Sequence, residues 1–151
     1  MVRDDIKAAT ITSMKAGDSA RTGTLRLISA ALKNKDIELR TGTPPADDDV
    51  LVADVLSKMA KQRRESIEMF TAGNRPELAA AESAELAIIE SFMPAQMSPE
   101  EAKAKIAALV TELGAVSLKD MGKVMAAVKE RFAGQLDMGA AGGMVKAALA
   151  G

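Results

Sequence analysis

Apolar residues along this chain recur at intervals of three, four and seven, the spacing that lines one face of an α-helix, and β-branched alternation is absent. A first helix is expected from about Val2 to Lys15, with Ile6, Ile11 and Met14 available for burial and Gly17 as its stop. Asp18 or Ser19 can cap a second helix reaching about Arg40, in which Leu25, Ile28, Leu32 and Leu39 share a face. Thr41-Gly42-Thr43-Pro44-Pro45 breaks the pattern. A third helix opens at Asp47-Asp48-Asp49, where the helix dipole favours acids, and its inner face reads Val52, Val55, Met59, Arg63, Ile67 and Phe70. Arg63 interrupts that stripe. Gly73 is the expected left-handed terminator. Asn74 with Glu77 and Pro76 starts a fourth helix, whose stripe is Leu78, Ala81, Leu86, Ile89 and Phe92.

In Met93-Pro94-Ala95-Gln96-Met97, Pro94 pushes the residue before it out of helical geometry and separates this part from a second one. Ser98, Pro99 and Glu101 form a complete helix start, leading to Ile106, Leu109, Val110 and Leu113 before Gly114. Ser117 with Asp120 opens a helix carrying Met121, Val124, Met125, Val128 and Phe132, closed by Gly134. Asp137 starts a last helix through Val145 to Leu149, weakened by Gly139, Gly142 and Gly143. The expected fold is therefore all-α: an N-terminal helical domain of about four helices over 1–93, a linker over 94–97, and a small three-helix domain over 98–151.

Composition narrows the chemistry. The 151 residues contain no Cys and no His, which removes thiol nucleophiles, thiolate metal sites and the commonest general base. There is no Trp or Tyr, and three Phe (Phe70, Phe92 and Phe132) cannot build a base-stacking platform. The net charge of -1 gives no global attraction to nucleic acid or membrane, so a polyanion site has to be a local patch. Charges in the first ten residues exclude the apolar run of a secretory signal, no stretch is long enough to span a bilayer, and a cytoplasmic address follows by default.

Few constellations invite a chemical reading. Asp47, Asp48 and Asp49 are explained by the helix dipole, and Glu82, Glu85 and Glu90 by a solvated face without the burial an acid–base pair requires. The cations are more informative. Arg26, Lys33 and Arg40 are spaced seven apart, a line of about 21 Å on one helix. Lys58, Lys61, Arg63 and Arg64 form a second cluster, open either to pairs such as Lys61–Glu65 and Arg64–Glu68 or to sequence-independent contact with RNA phosphates. In Asp120-Met121-Gly122-Lys123-Val124-Met125, a glycine in an early helical turn costs about 1 kcal/mol relative to Ala. Close approach of another helix, or of a nucleic-acid backbone flanked by Lys119 and Lys123, would account for it.

Four segments in this order, LRLISAALKN (25–34), KQRRES (61–66), FMPAQMSPEE (92–101) and DMGKVM (120–125), resemble the GatB/YqeY family across nearly the whole chain. The resemblance implies a helical N-terminal part, a three-helix C-terminal part, and kinship to the tail of the GatB component of glutamine-dependent tRNA amidotransferases. In those carbon–nitrogen ligases the tail helps hold tRNA while ATP and ammonia chemistry occurs in another domain. It implies a non-catalytic accessory protein binding tRNA or a tRNA-bearing complex; no cofactor, metal or membrane is expected to take part, and the protein is expected to be a monomer. The RNA-binding candidates are Arg26, Lys33, Arg40, Lys61, Arg64, Lys119, Gly122, Lys123, Lys129 and Arg131. An adapter binding an unidentified protein, and a contributor to amidotransferase activity, are the alternatives. Gln135 and Met138 depart from the family pattern of a cation and a glycine in the last loop, which leaves RNA contact in this part to Lys119, Lys123, Lys129 and Arg131.

Overall fold

Short polar side chains set where the helices begin. Asp18 Oδ1 accepts from the Arg21 amide at 3.1 Å, Asp47 Oδ1 from Asp49 at 2.9 Å, Ser98 Oγ from Glu101 at 3.1 Å, and Asp137 Oδ2 from Ala140 at 3.0 Å. Each satisfies an amide that the first helical turn leaves without a partner. The computed structural model describes residues 1–45 and 47–150, and among these it is all-α, with no strand. The helices are α1 (Val2–Lys15), α2 (Ser19–Glu38), α3 (Asp48–Ala72), α4 (Pro76–Glu90), α5 (Pro99–Leu113), α6 (Met121–Arg131) and α7 (Met138–Ala150). Two 3-10 turns, Leu39–Thr41 and Leu118–Asp120, follow α2 and precede α6.

The chain divides into two compact units, Met1–Met93 and Pro94–Gly151. In the first, α3 packs along α4 and α1 along α2, around Ile6, Leu25, Ile28, Leu56, Val52 and Ile89. In the second, α5, α6 and α7 enclose Ile106, Leu109, Val124, Val128 and Val145. Residues 94–97, expected as a linker, are tied down at their far end. The Met97 amide donates to the Gln135 carbonyl at 2.9 Å, and Gln96 Nε2 donates to the Gly134 carbonyl.

Several local expectations are corrected. Ile11 and Met14 are 54% and 53% exposed; besides Ile6, α1 buries Ser13, whose hydroxyl meets that of Thr22 at 2.8 Å. At the end of α3 the left-handed residue is Asn74, with φ +56°, and Gly73 keeps a negative φ. Asn74 thus terminates α3 instead of capping α4, its amide donating to the Thr71 carbonyl and that of Arg75 to the Phe70 carbonyl. On α4, Ile89 is the buried residue, Ala81 is exposed, and Phe92 lies beyond the helix. Gly114, with φ +64°, does end α5 in the left-handed region.

A candidate nucleic-acid interface of unpaired cations

Arginines interrupt apolar faces in this protein where carboxylates converge on them. Arg63, 16% exposed, donates from Nε to Glu85 Oε2 at 2.9 Å and lies 3.5 Å from Glu82 Oε2. The break in the α3 stripe is therefore an ion cluster between α3 and α4. Glu82 and Glu85, expected on a solvated face, are partly buried there at 26% and 31% exposure. Arg3 does the same at the other end of α3. Its guanidinium donates to both oxygens of Asp36, at 2.9 and 3.1 Å, and to both of Asp48, at 3.0 and 2.9 Å. Those bonds hold the Asp48 carboxyl below the usual carboxylate range and raise the Arg3 pKa. Asp49 Oδ1 also accepts from the Val2 amide at 3.0 Å, so the acidic triplet ties the start of α1 to the start of α3 besides matching the dipole. Among the described residues no cluster of acids is arranged to hold a metal ion.

The candidate RNA-binding residues separate according to what they touch. Arg64 is paired with Glu90 across α3 and α4 at 3.0 Å, not with Glu68. Arg131 makes two bonds to Glu112, at 2.7 and 3.0 Å, which raise its own pKa and lower that of Glu112. Lys123 Nζ donates to the Leu113 carbonyl at 3.0 Å, covering one of the carbonyls α5 leaves unpaired at its C-terminus. Asp120, three residues before it, has its carboxyl pulled down by the Val116 and Ser117 amides. These three cations are already engaged within the fold. Arg26, Lys33, Arg40, Lys61, Lys119 and Lys129 are exposed and, among the described residues, make no ion pair.

Geometry shortens the expected line on α2. The helix stops at Glu38, and Arg40 falls in the tighter 3-10 turn, so the line of three becomes Arg26 and Lys33, about 10.5 Å apart along the axis. Gly122 is exposed, and a Cβ built there meets nothing within 4 Å. Helix packing therefore does not account for this glycine. Lys7, which sequence reasoning passed over, joins Lys33 in a groove between α1 and α2. No signal in the sequence pairs those two lysines, because the hairpin alone brings them together.

A family described as Yqey-like protein matches residues 3–149. Relatives named "Altered inheritance of mitochondria protein 41, mitochondrial" are similar to this chain in sequence. The one from Eremothecium gossypii is 36% identical over 74% of this chain and 58% of its own length. That from Lachancea thermotolerans is 31% identical over 98% of this chain and 76% of the relative. That from Kluyveromyces lactis is 31% identical over 74% and 58%. These names overturn the expected cytoplasmic address. An absent apolar run excludes a secretory signal alone, since mitochondrial leaders are amphipathic and need no such run. No helix among the described residues is long and apolar enough to cross a membrane. With all but a few terminal residues inside the match, the chain belongs to the YqeY-like family.

Proposed function

We propose that this YqeY-like protein is a non-catalytic accessory module that holds tRNA, or a complex carrying tRNA, through phosphate contacts. The observation that carries this reading is the pair Arg26 and Lys33, exposed on α2 with no carboxylate bound to either. The resemblance of segments 25–34 and 120–125 to the amidotransferase tail supports the same reading, and Lys61, Lys119 and Lys129 add charge of the same kind. Contacts to phosphate need cations that a fold can position, and need neither aromatics nor nucleophiles. In this reading 1–93 and 98–151 act as two domains joined through 94–97, each with its own cations.

Mobility-shift titration tests the proposal. Because the relatives carry mitochondrial names, mitochondrial tRNA is the first probe. A shift at low salt that fades as salt rises is expected, since binding releases counterions. Arg26→Glu with Lys33→Glu should weaken it strongly. Absence of a shift at low salt overturns the reading. A protein-adapter role is the second reading, favoured by Ile11, Met14 and Leu27, which are about half exposed at 54%, 53% and 48%. Capture of a defined protein that survives high salt would point to it.

A further inference from the structure

The groove between α1 and α2 has a volume of about 180 Å³ and opens to solvent. Its floor is the buried pair Ile6 and Leu32, 1% and 3% exposed. Lys7 comes from α1, and Ser29 and Lys33, one turn apart, come from α2. Among the described residues neither lysine forms an ion pair. Arg3 and Asp36 close one end, and both Asp36 oxygens accept from Arg3. Arg3 is shared between Asp36 and Asp48, so those three groups together carry one negative charge, and with Lys7 and Lys33 the lining keeps a net positive charge beside an apolar floor.

We propose that this groove binds one phosphoryl group, held by the ammonium groups of Lys7 and Lys33 and the hydroxyl of Ser29. Size and charge agree. The volume equals about six water molecules at roughly 30 Å³ each, enough for a phosphoryl group and too small for a whole nucleoside. The open side lets the rest of an ester extend away. A low-dielectric floor strengthens the attraction between ammonium and anion, and ionised partners make the stronger hydrogen bonds. Asp36 cannot serve a cation here because its lone pairs already face Arg3. The phosphoryl group can come from a free phosphate or from the diester of an RNA strand. This site goes beyond the tRNA reading and stands without it.

Amide NMR titration of the full chain with inorganic phosphate, and separately with a short single-stranded RNA, tests the groove. Shifts are expected to concentrate on residues 3–10 and 26–36. Lys7→Gln or Lys33→Gln should each weaken binding by about tenfold, and Ser29→Ala by less, with helical circular dichroism unchanged. Shifts with phosphate alone identify a small-anion site, and shifts with both identify a backbone-phosphate site; either supports the proposal. Shifts elsewhere, or affinities indifferent to both lysines, overturn it. The two readings part on tRNA. If neither phosphate nor the short RNA shifts the groove residues while Arg26→Glu with Lys119→Glu abolishes the tRNA shift, the groove is wrong and the tRNA reading stands. Phosphate bound in the groove with no tRNA shift at low salt means the reverse.

Discussion

At the scale of single residues, the fold depends on arginines that gather acids from other helices. Arg63 separates Glu82 from Glu85, and Glu82 Oε2 is buried with no hydrogen bond besides its proximity to Arg63. Replacing Arg63 with leucine would complete the apolar stripe of α3 by side-chain type alone. It would also leave two partly buried carboxylates facing each other without a counter-charge. Arg63→Leu should therefore lower stability by about 2 kcal/mol, less than for a fully buried pair because water reaches these groups. Adding Glu82→Gln and Glu85→Gln should restore much of that loss in urea unfolding. If the triple variant is as unstable as the single one, charge is not the cause. Arg3 supplies a pH signature of the same logic. Its bonds depress the Asp48 pKa in the folded state, so they stabilise above the unfolded carboxyl pKa and are lost as pH falls through the depressed value. The stability difference between wild type and Arg3→Gln should be largest near neutral pH and shrink as pH falls below the ordinary carboxylate range. A difference independent of pH would mean that Arg3 acts by packing alone.

Helices as elements follow local chemistry. The starts of α2, α3, α5 and α7 were legible because a cap needs an acceptor within three residues of its donor, a relation visible in sequence. Positions that depend on a distant partner were not. Arg63 and Glu85 lie 22 residues apart, and Arg3 and Asp48 lie 45 apart, so neither cluster leaves a periodic trace. The α1 stripe misled for a related reason: helical spacing names a face, while the neighbouring helix decides how far along it burial continues. Burial of apolar residues on α1 stops short of Ile11, and Ser13 with Thr22 closes the hairpin by a hydroxyl contact. Among the RNA-binding candidates, residue types and exposure were legible, but the ion pairs of Arg64 and Arg131 required the folded chain. Gly122 makes a prediction at this scale. A Cβ there meets nothing, so Gly122→Ala should raise stability by up to about 1 kcal/mol through helix propensity. If a nucleic-acid backbone uses the open turn, the same variant should bind tRNA more weakly while melting at a higher temperature. A gain in stability with unchanged binding would remove Gly122 from the interface.

For the whole molecule, a net charge of -1 forbids a long-range pull toward polyanions, so RNA affinity has to arise from counted, local contacts. Counting them turns exposure into a measurable slope. The logarithm of the binding constant falls with the logarithm of salt by about 0.7 per neutralised phosphate for single strands and about 0.9 for duplexes. Arg26, Lys33, Arg40, Lys61, Lys119 and Lys129 are the exposed candidates that, among the described residues, make neither an ion pair nor a bond to a backbone carbonyl. If all six engage, the slope should be about -5, and each removed contact should reduce its magnitude by about one. Arg26→Gln, Lys33→Gln and Lys61→Gln together should then flatten it by about 2 to 3, and Lys119→Gln with Lys129→Gln by about 1.5 to 2. Arg64→Gln and Arg131→Gln serve as controls, because each cation already faces a carboxylate and has little charge left to offer a phosphate. They should leave the slope unchanged even if they alter stability. Equal flattening by paired and unpaired cations would mean that Glu90 and Glu112 yield their arginines to the ligand, and that ion pairing in the free protein does not choose the contacts. Flattening confined to the first three substitutions would assign the RNA to the unit Met1–Met93. Loss from both sets, with the two controls silent, is the outcome expected of a module that holds tRNA through each of its units.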